Sequence, residues 1–169
     1  MQETVEQYRD RMFSHIKGSD PLTMLAAAPR KLERALKGVS SAKTSKRPAP
    51  GKWSVNEILA HLLDVEVATG YRMRTVLGAP GSPLQAFDQD AWAEKMHYHK
   101  RDARKSFEQF RALREANLAL LKTLTPEQWK QSGIHAERGE QSIETLVKMQ
   151  AGHDINHIQQ IERILSAKE

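Results

Sequence analysis

The chain has no cysteine among its 169 residues. That removes disulfides, an internal thiolate nucleophile, and every zinc or iron–sulfur site built on sulfur. A bound metal would have to be held by imidazole or carboxylate, so the seven histidines are the residues to follow. Aromatic residues are scarce at 6%, and none is interleaved with the densest basic stretch, as a single-strand nucleic-acid platform requires. No apolar run approaches the ~20 residues of a membrane-spanning helix. The opening segment from Met1 to Asp10 has no apolar core of a secretory signal. The expectation is a cytoplasmic protein that engages neither nucleic acid nor a membrane.

What is present suits one globular domain over residues 1–169. Hydrophobic residues make up 39% and charged residues 28%, enough for a core and a solvated surface. The net charge of +5 is unevenly placed. Residues 1–50 carry ten Lys/Arg against five Asp/Glu, whereas residues 51–169 carry 16 of each. The stretch from Lys43 to Lys52 is also rich in Ser, Pro and Gly, so it reads as a solvated connection.

Apolar residues recur at helical spacing, and neither period-2 alternation nor an Asn-Gly turn predicts a strand. Val5, Tyr8, Met12 and Ile16 mark a first helix that Gly18 ends. Asp20-Pro21 opens another, which Pro29 should kink or break before it stops at Gly38. Ser54 and Glu57 form a capping box, with Trp53 and Ile58 placed as a hydrophobic staple. The helix they open carries Ile58, Leu62, Val65, Thr69, Met73 and Val76 on one stripe to Gly78. A short helical piece over 89–96 precedes a long helix over 102–123. The latter bears Phe107, Phe110, Leu113 and Leu121, with Asn117 interrupting the stripe. Thr125-Pro126 starts a further turn, 132–141 reads as loop, and a last helix covers 142–167. Four substantial helices with short connectors predict an all-α four-helix bundle, most economically packed antiparallel.

His153 and His157 lie four apart on the last helix, hence on one face about one turn apart. They interrupt an apolar stripe between Met149 and Ile161. His61, one turn after Glu57, is also aimed near an apolar face. Two readings fit: three separately hydrogen-bonded core histidines, or three ligands converging on one divalent ion. His15, at a helix end, His97 and His99 have ordinary readings, and His135 is a candidate for a pocket rim.

Two stretches carry a resemblance. Lys52-Trp53-Ser54-Val55-Asn56-Glu57-Ile58-Leu59-Ala60-His61 holds W-S-x-x-E-x-x-x-H, and His153-Asp154-Ile155-Asn156-His157-Ile158-Gln159-Gln160 holds H-D-x-x-H-x-x-Q. In this order they resemble the DinB/YfiT-like superfamily, over essentially the whole chain. The resemblance implies a four-helix bundle in which His61, His153 and His157 hold a divalent metal, usually zinc or nickel, in a cytoplasmic homodimer acting on a small molecule. It further implies a metal-dependent hydrolase, or a transferase of low-molecular-weight thiols such as bacillithiol; other members isomerise with mycothiol. Three imidazoles leave a coordination position open, the pattern of catalytic rather than structural sites. Such an ion activates water or a thiol cosubstrate. Asp154, Gln160 and Glu57 are candidates for orienting the imidazoles, although capping already accounts for Glu57. The alternative is a non-catalytic bundle that binds a small molecule or a metal.

Overall fold

Side-chain caps set where the helices begin. Asp20 accepts from the backbone N–H of Thr23, Ser54 from Glu57, Asp102 from Lys105 and Ser142 from Thr145. Each satisfies an amide that the first helical turn leaves without a partner. The computed structural model describes residues 3–167. Its helices are α1 (Val5–Ser14), α2 (Pro21–Leu36), α3 (Ser41–Ser45), α4 (Val55–Gly78), α5 (Gln89–Lys95), α6 (Ala103–Leu121), α7 (Pro126–Lys130) and α8 (Ile143–Ser166). A 3₁₀ turn spans Tyr98–Lys100. The expected staple residue Trp53 packs against the apolar cluster that contains Ile58.

The bundle is α2, α4, α6 and α8, each touching two of the others in a closed ring: α4 on α6, α6 on α2, α2 on α8, α8 on α4. Helix direction follows from the core. One apolar cluster takes Leu32 and Leu36 from α2, Ile58 and Leu62 from α4, Phe107 and Phe110 from α6, and Ile158 and Ile161 from α8. The other takes Leu25, Met73, Val76, Leu121, Leu146 and Val147 from the same helices. α4 and α6 run from the first cluster to the second, and α2 and α8 run the opposite way. Neighbours α4 and α6 are therefore parallel, as are α2 and α8, where an antiparallel ring is the simpler expectation. Parallel neighbours need a connection that travels back along the bundle. The segment 79–102 provides it, with α5 and the 3₁₀ turn lying against α4.

Between the two apolar clusters lies a buried polar belt: His61, Glu66, Thr69, Arg114, Asn117, Gln150, His153 and Asp154. This belt explains why Pro29 does not break α2, which runs unbroken through it. A proline cannot bond the carbonyl four residues back, here Leu25. The Leu25 carbonyl accepts instead from the Arg114 guanidinium at 3.0 Å.

The segment expected as loop over 132–141 is a hairpin, with β2 (Ser132–His135) antiparallel to β3 (Gly139–Ser142). β1 (Pro83–Leu84), in the long connection, pairs parallel to β2. These strands are two to four residues long, too short to show alternation. Their Gly and Ser content reads as turn. α1 packs on α8 at Gly152, where a Cβ would stand 2.1 Å from the Met12 carbonyl oxygen. Only glycine permits this approach beside His153.

Candidate metal centre

The capping box that anchors α4 fixes the position of His61, two turns in. α8 crosses it antiparallel and presents His153 and His157 from successive turns. The three imidazoles meet. Nε2 of His61 lies 3.0 Å from Nε2 of His153, and one ligand atom from each ring falls within 4.8 Å of the others. Ring centroids are 5.0 Å apart for His61 to either partner and 4.5 Å for His153 to His157. Trp53 closes one side, its ring 5.0 Å from that of His61.

Electrostatics keeps these rings neutral at pH 7. Burial, with His157 adding to it, pulls His61 down to about 3. Burial takes His153 well below its ordinary value, helped by the two neighbouring imidazoles. Burial lowers His157 to about 4, although its bond to Gln160 works the other way. A neutral imidazole keeps a lone pair on one nitrogen, which a cation can use. His157 Nδ1 meets Gln160 Oε1 at 2.9 Å. The amide oxygen accepts the Nδ1 proton, leaving the His157 Nε2 lone pair free for the cluster. Nδ1 of both His61 and His153 is buried and has no protein partner. The donor set is thus three uncharged nitrogens with no carboxylate among them, which fits an open divalent site.

The other two orienting candidates lie elsewhere. Asp154 does not bond an imidazole: its carboxylate accepts from Arg114 at 2.6 Å and from Gln150 at 3.5 Å. The i+1 position that makes it adjacent to His153 in sequence turns it toward α6. Glu57 accepts from Ser54 at 2.8 Å and pairs with Arg47, so capping and an ion pair account for it. Burial would raise Glu57, but Arg47 and Ser54 outweigh it and hold it below the usual range.

A pocket of about 260 Å³ opens beside His61 and His153. α4 and α8 contribute Val65, Thr69, Arg72, Leu146, Met149 and Gln150, while Phe87 and Gln89 come from the long connection. Arg138 reaches it from the hairpin and Tyr8 from α1. His135, in the same hairpin, is buried and not exposed on a rim. Its Nδ1 accepts from the Glu137 backbone. Burial, followed by Arg138 and Arg72, lowers it to about 4. Arg72 and Arg138 were not among the residues expected at this site. For Arg72 a signal existed: it falls between Thr69 and Met73 on a stripe that is otherwise buried.

A four-helix ring with an uncharged histidine triad at the edge of a pocket is a helical bundle with a candidate metal site. The model of the DinB superfamily matches residues 24–161, and the chain belongs to that superfamily. Among curated proteins it is 25% identical over 145 residues to "Putative metal-dependent hydrolase OB0413" of Oceanobacillus iheyensis, covering 86% of this chain and 83% of that one. It is 24% identical over 144 residues to "Putative metal-dependent hydrolase YfiT" of Bacillus subtilis, covering 85% and 81%. The solved structure of YfiT, described as having an unusual four-helix bundle topology, superposes with a TM-score of 0.79 at 22% identity, over 96% of this chain and 88% of that one. That likeness bears on the fold.

Proposed function

We propose that this chain is a metal-dependent enzyme in which His61, His153 and His157 hold one divalent ion, zinc or nickel. The observation that carries this reading is the convergence of three buried, neutral imidazoles whose nitrogens lie within 4.8 Å of one another. Separately satisfied core histidines would each bond another group, whereas here two Nε2 atoms face each other. A bound ion supplies Lewis acidity, which lowers the pKa of water or a thiol at its open position. The chain supplies the rest. Gln160 fixes the tautomer of His157, Trp53 shields His61 from water, and the pocket places a small substrate against the open side. With no cysteine in the chain, a thiol nucleophile comes from a cosubstrate. Hydrolysis and thiol transfer differ only in which nucleophile enters. The homodimer and the cytoplasmic setting suggested by the family resemblance, and one domain over 1–169, complete the reading.

Metal analysis of untagged protein purified without chelator tests it. About one equivalent of zinc or nickel per chain is expected, and His153→Ala should abolish binding. A wild-type protein with only trace metal, or a His153→Ala variant with full stoichiometry, overturns the ligand set. A non-catalytic binding bundle is the second reading, favoured because among the described residues no carboxylate lines the pocket to move a proton. Turnover of ester or thiol-plus-electrophile pairs by the metal-loaded protein, lost in His153→Ala, separates the two.

A further inference from the structure

Arg72 is 5% exposed, yet among the described residues no carboxylate lies within ion-pair distance of it. Its Nε donates to the Gln85 carbonyl at 3.1 Å, and its guanidinium lies 5.4 Å from the centre of the Phe87 ring. These contacts hold the side chain in place without neutralising it. Burial, with Arg138 adding to it, pulls Arg72 down to about 10, and only the exposed Glu137 works in the other direction. A buried charge normally has a counter-ion because desolvation is costly. Arg114, at 1% exposure, has two, Glu66 and Asp154. Arg138 also has no carboxylate partner among the described residues and faces the same pocket from the hairpin. Two arginines therefore line the same pocket as His61 and His153, and among the described residues no carboxylate lines it.

We propose that this pocket takes a small acid: a substrate or cosubstrate whose carboxylate or phosphate is held between Arg72 and Arg138 while its reacting group faces the histidines. Resting on the metal-site reading, this names the substrate class for that site. Guanidinium groups bind such oxyanions through paired N–H donors. The pocket, of about 260 Å³, suits a small ligand.

Titration calorimetry on the full chain tests this, with succinate, inorganic phosphate and the neutral isostere succinamide as probes. Succinate or phosphate should bind at least about tenfold tighter than succinamide, more weakly at high salt. The tighter of the two anions identifies the group. Arg138→Met and Arg72→Met should each weaken that anion about tenfold or more, and Arg72→Lys should recover part of the loss. Arg138, partly exposed on a hairpin, keeps the test open should Arg72→Met not fold. The proposal is overturned if neither anion outbinds succinamide, or if folded arginine variants bind like wild type. His153→Ala separates it from the metal reading. Anion binding that persists there after metal is lost supports the arginine site. Binding lost there but kept in both arginine variants places the anion on the metal and overturns the proposal.

Discussion

His153 and Asp154 are neighbours on α8 and both buried, at 8% and 2% exposure, yet they belong to opposite kinds of polar cluster. Asp154 joins a network that satisfies itself. Arg114 donates to Glu66, Asp154 and the Leu25 carbonyl; Asn117 and Gln150 donate to Glu66; Thr69 donates to Gln150. The histidine cluster is short of partners, with two Nδ1 atoms unpaired and two Nε2 atoms facing each other. Depth of burial does not separate the two, but completeness does. A saturated network orders helices, and an unsaturated one of neutral donors is built to receive something.

Acid should break the comparison most forcefully. In metal-free protein, His61 and His157 protonate only near 3 and 4 when folded, against about 6.5 when unfolded. Between those values the unfolded chain binds more protons, so stability falls as pH drops from about 6.5 toward 4. Each buried histidine contributes up to ~1.4 kcal/mol per pH unit. The other cluster has the opposite sign. Burial raises Asp154 to about 6 although Arg114 works against it, so its contribution is greatest below ~3.9 and declines as pH rises to about 6. Urea melts between pH 4 and 7 should show the histidine slope dominating, and His61→Gln should flatten it. A stability independent of pH over that window would remove the account.

Arg114→Met strikes the saturated side. It leaves Glu66 and Asp154 buried without their cation and the Leu25 carbonyl without its donor. Burial opposes the charge on Arg114, but Asp154 and Glu66 more than compensate and raise its pKa. Breaking such a group costs ~3–5 kcal/mol, or roughly 6–20 °C in Tm for a chain of this size. Metal stoichiometry of the folded fraction should not change, because Arg114 touches no imidazole. A loss of metal without a loss of stability would mean that the two clusters are one.

The sequence shows these regions unequally, for physical reasons. Ser54 with Glu57 is a local device, complete within four residues, and its capping box forms as expected; Thr125 with Gln128 forms a second one where a turn was expected to start. The histidine pattern was readable because i and i+4 share a helix face. The Arg114 network was not, since its members come from three helices and the Pro29 defect it repairs lies on a fourth. Asn117 interrupting an apolar stripe was the one visible trace, and Arg114 lies one turn before it. The parallel pairing of α4 with α6 is a property of the 79–102 crossover, whose one two-residue strand and turns carry no periodic signal. For the same reason Arg138 is invisible until the hairpin folds.

The smallest expected effect gives the sharpest distinction, because it concerns the one complete hydrogen bond in the histidine cluster. Gln160 is partly exposed on α8, so Gln160→Leu should move stability by less than ~1 kcal/mol. Its amide oxygen holds the Nδ1 proton of His157, and loss of such a partner typically weakens metal binding by ~10–100-fold. Gln160→Glu keeps an acceptor at that position and should retain wild-type affinity or better. Competition against a chromogenic chelator would read both variants. If Leu and Glu weaken zinc equally, the side chain only packs there. If Leu alone weakens it, the partner-poor cluster depends on this bond for its orientation, while its remaining valence is left for the ion.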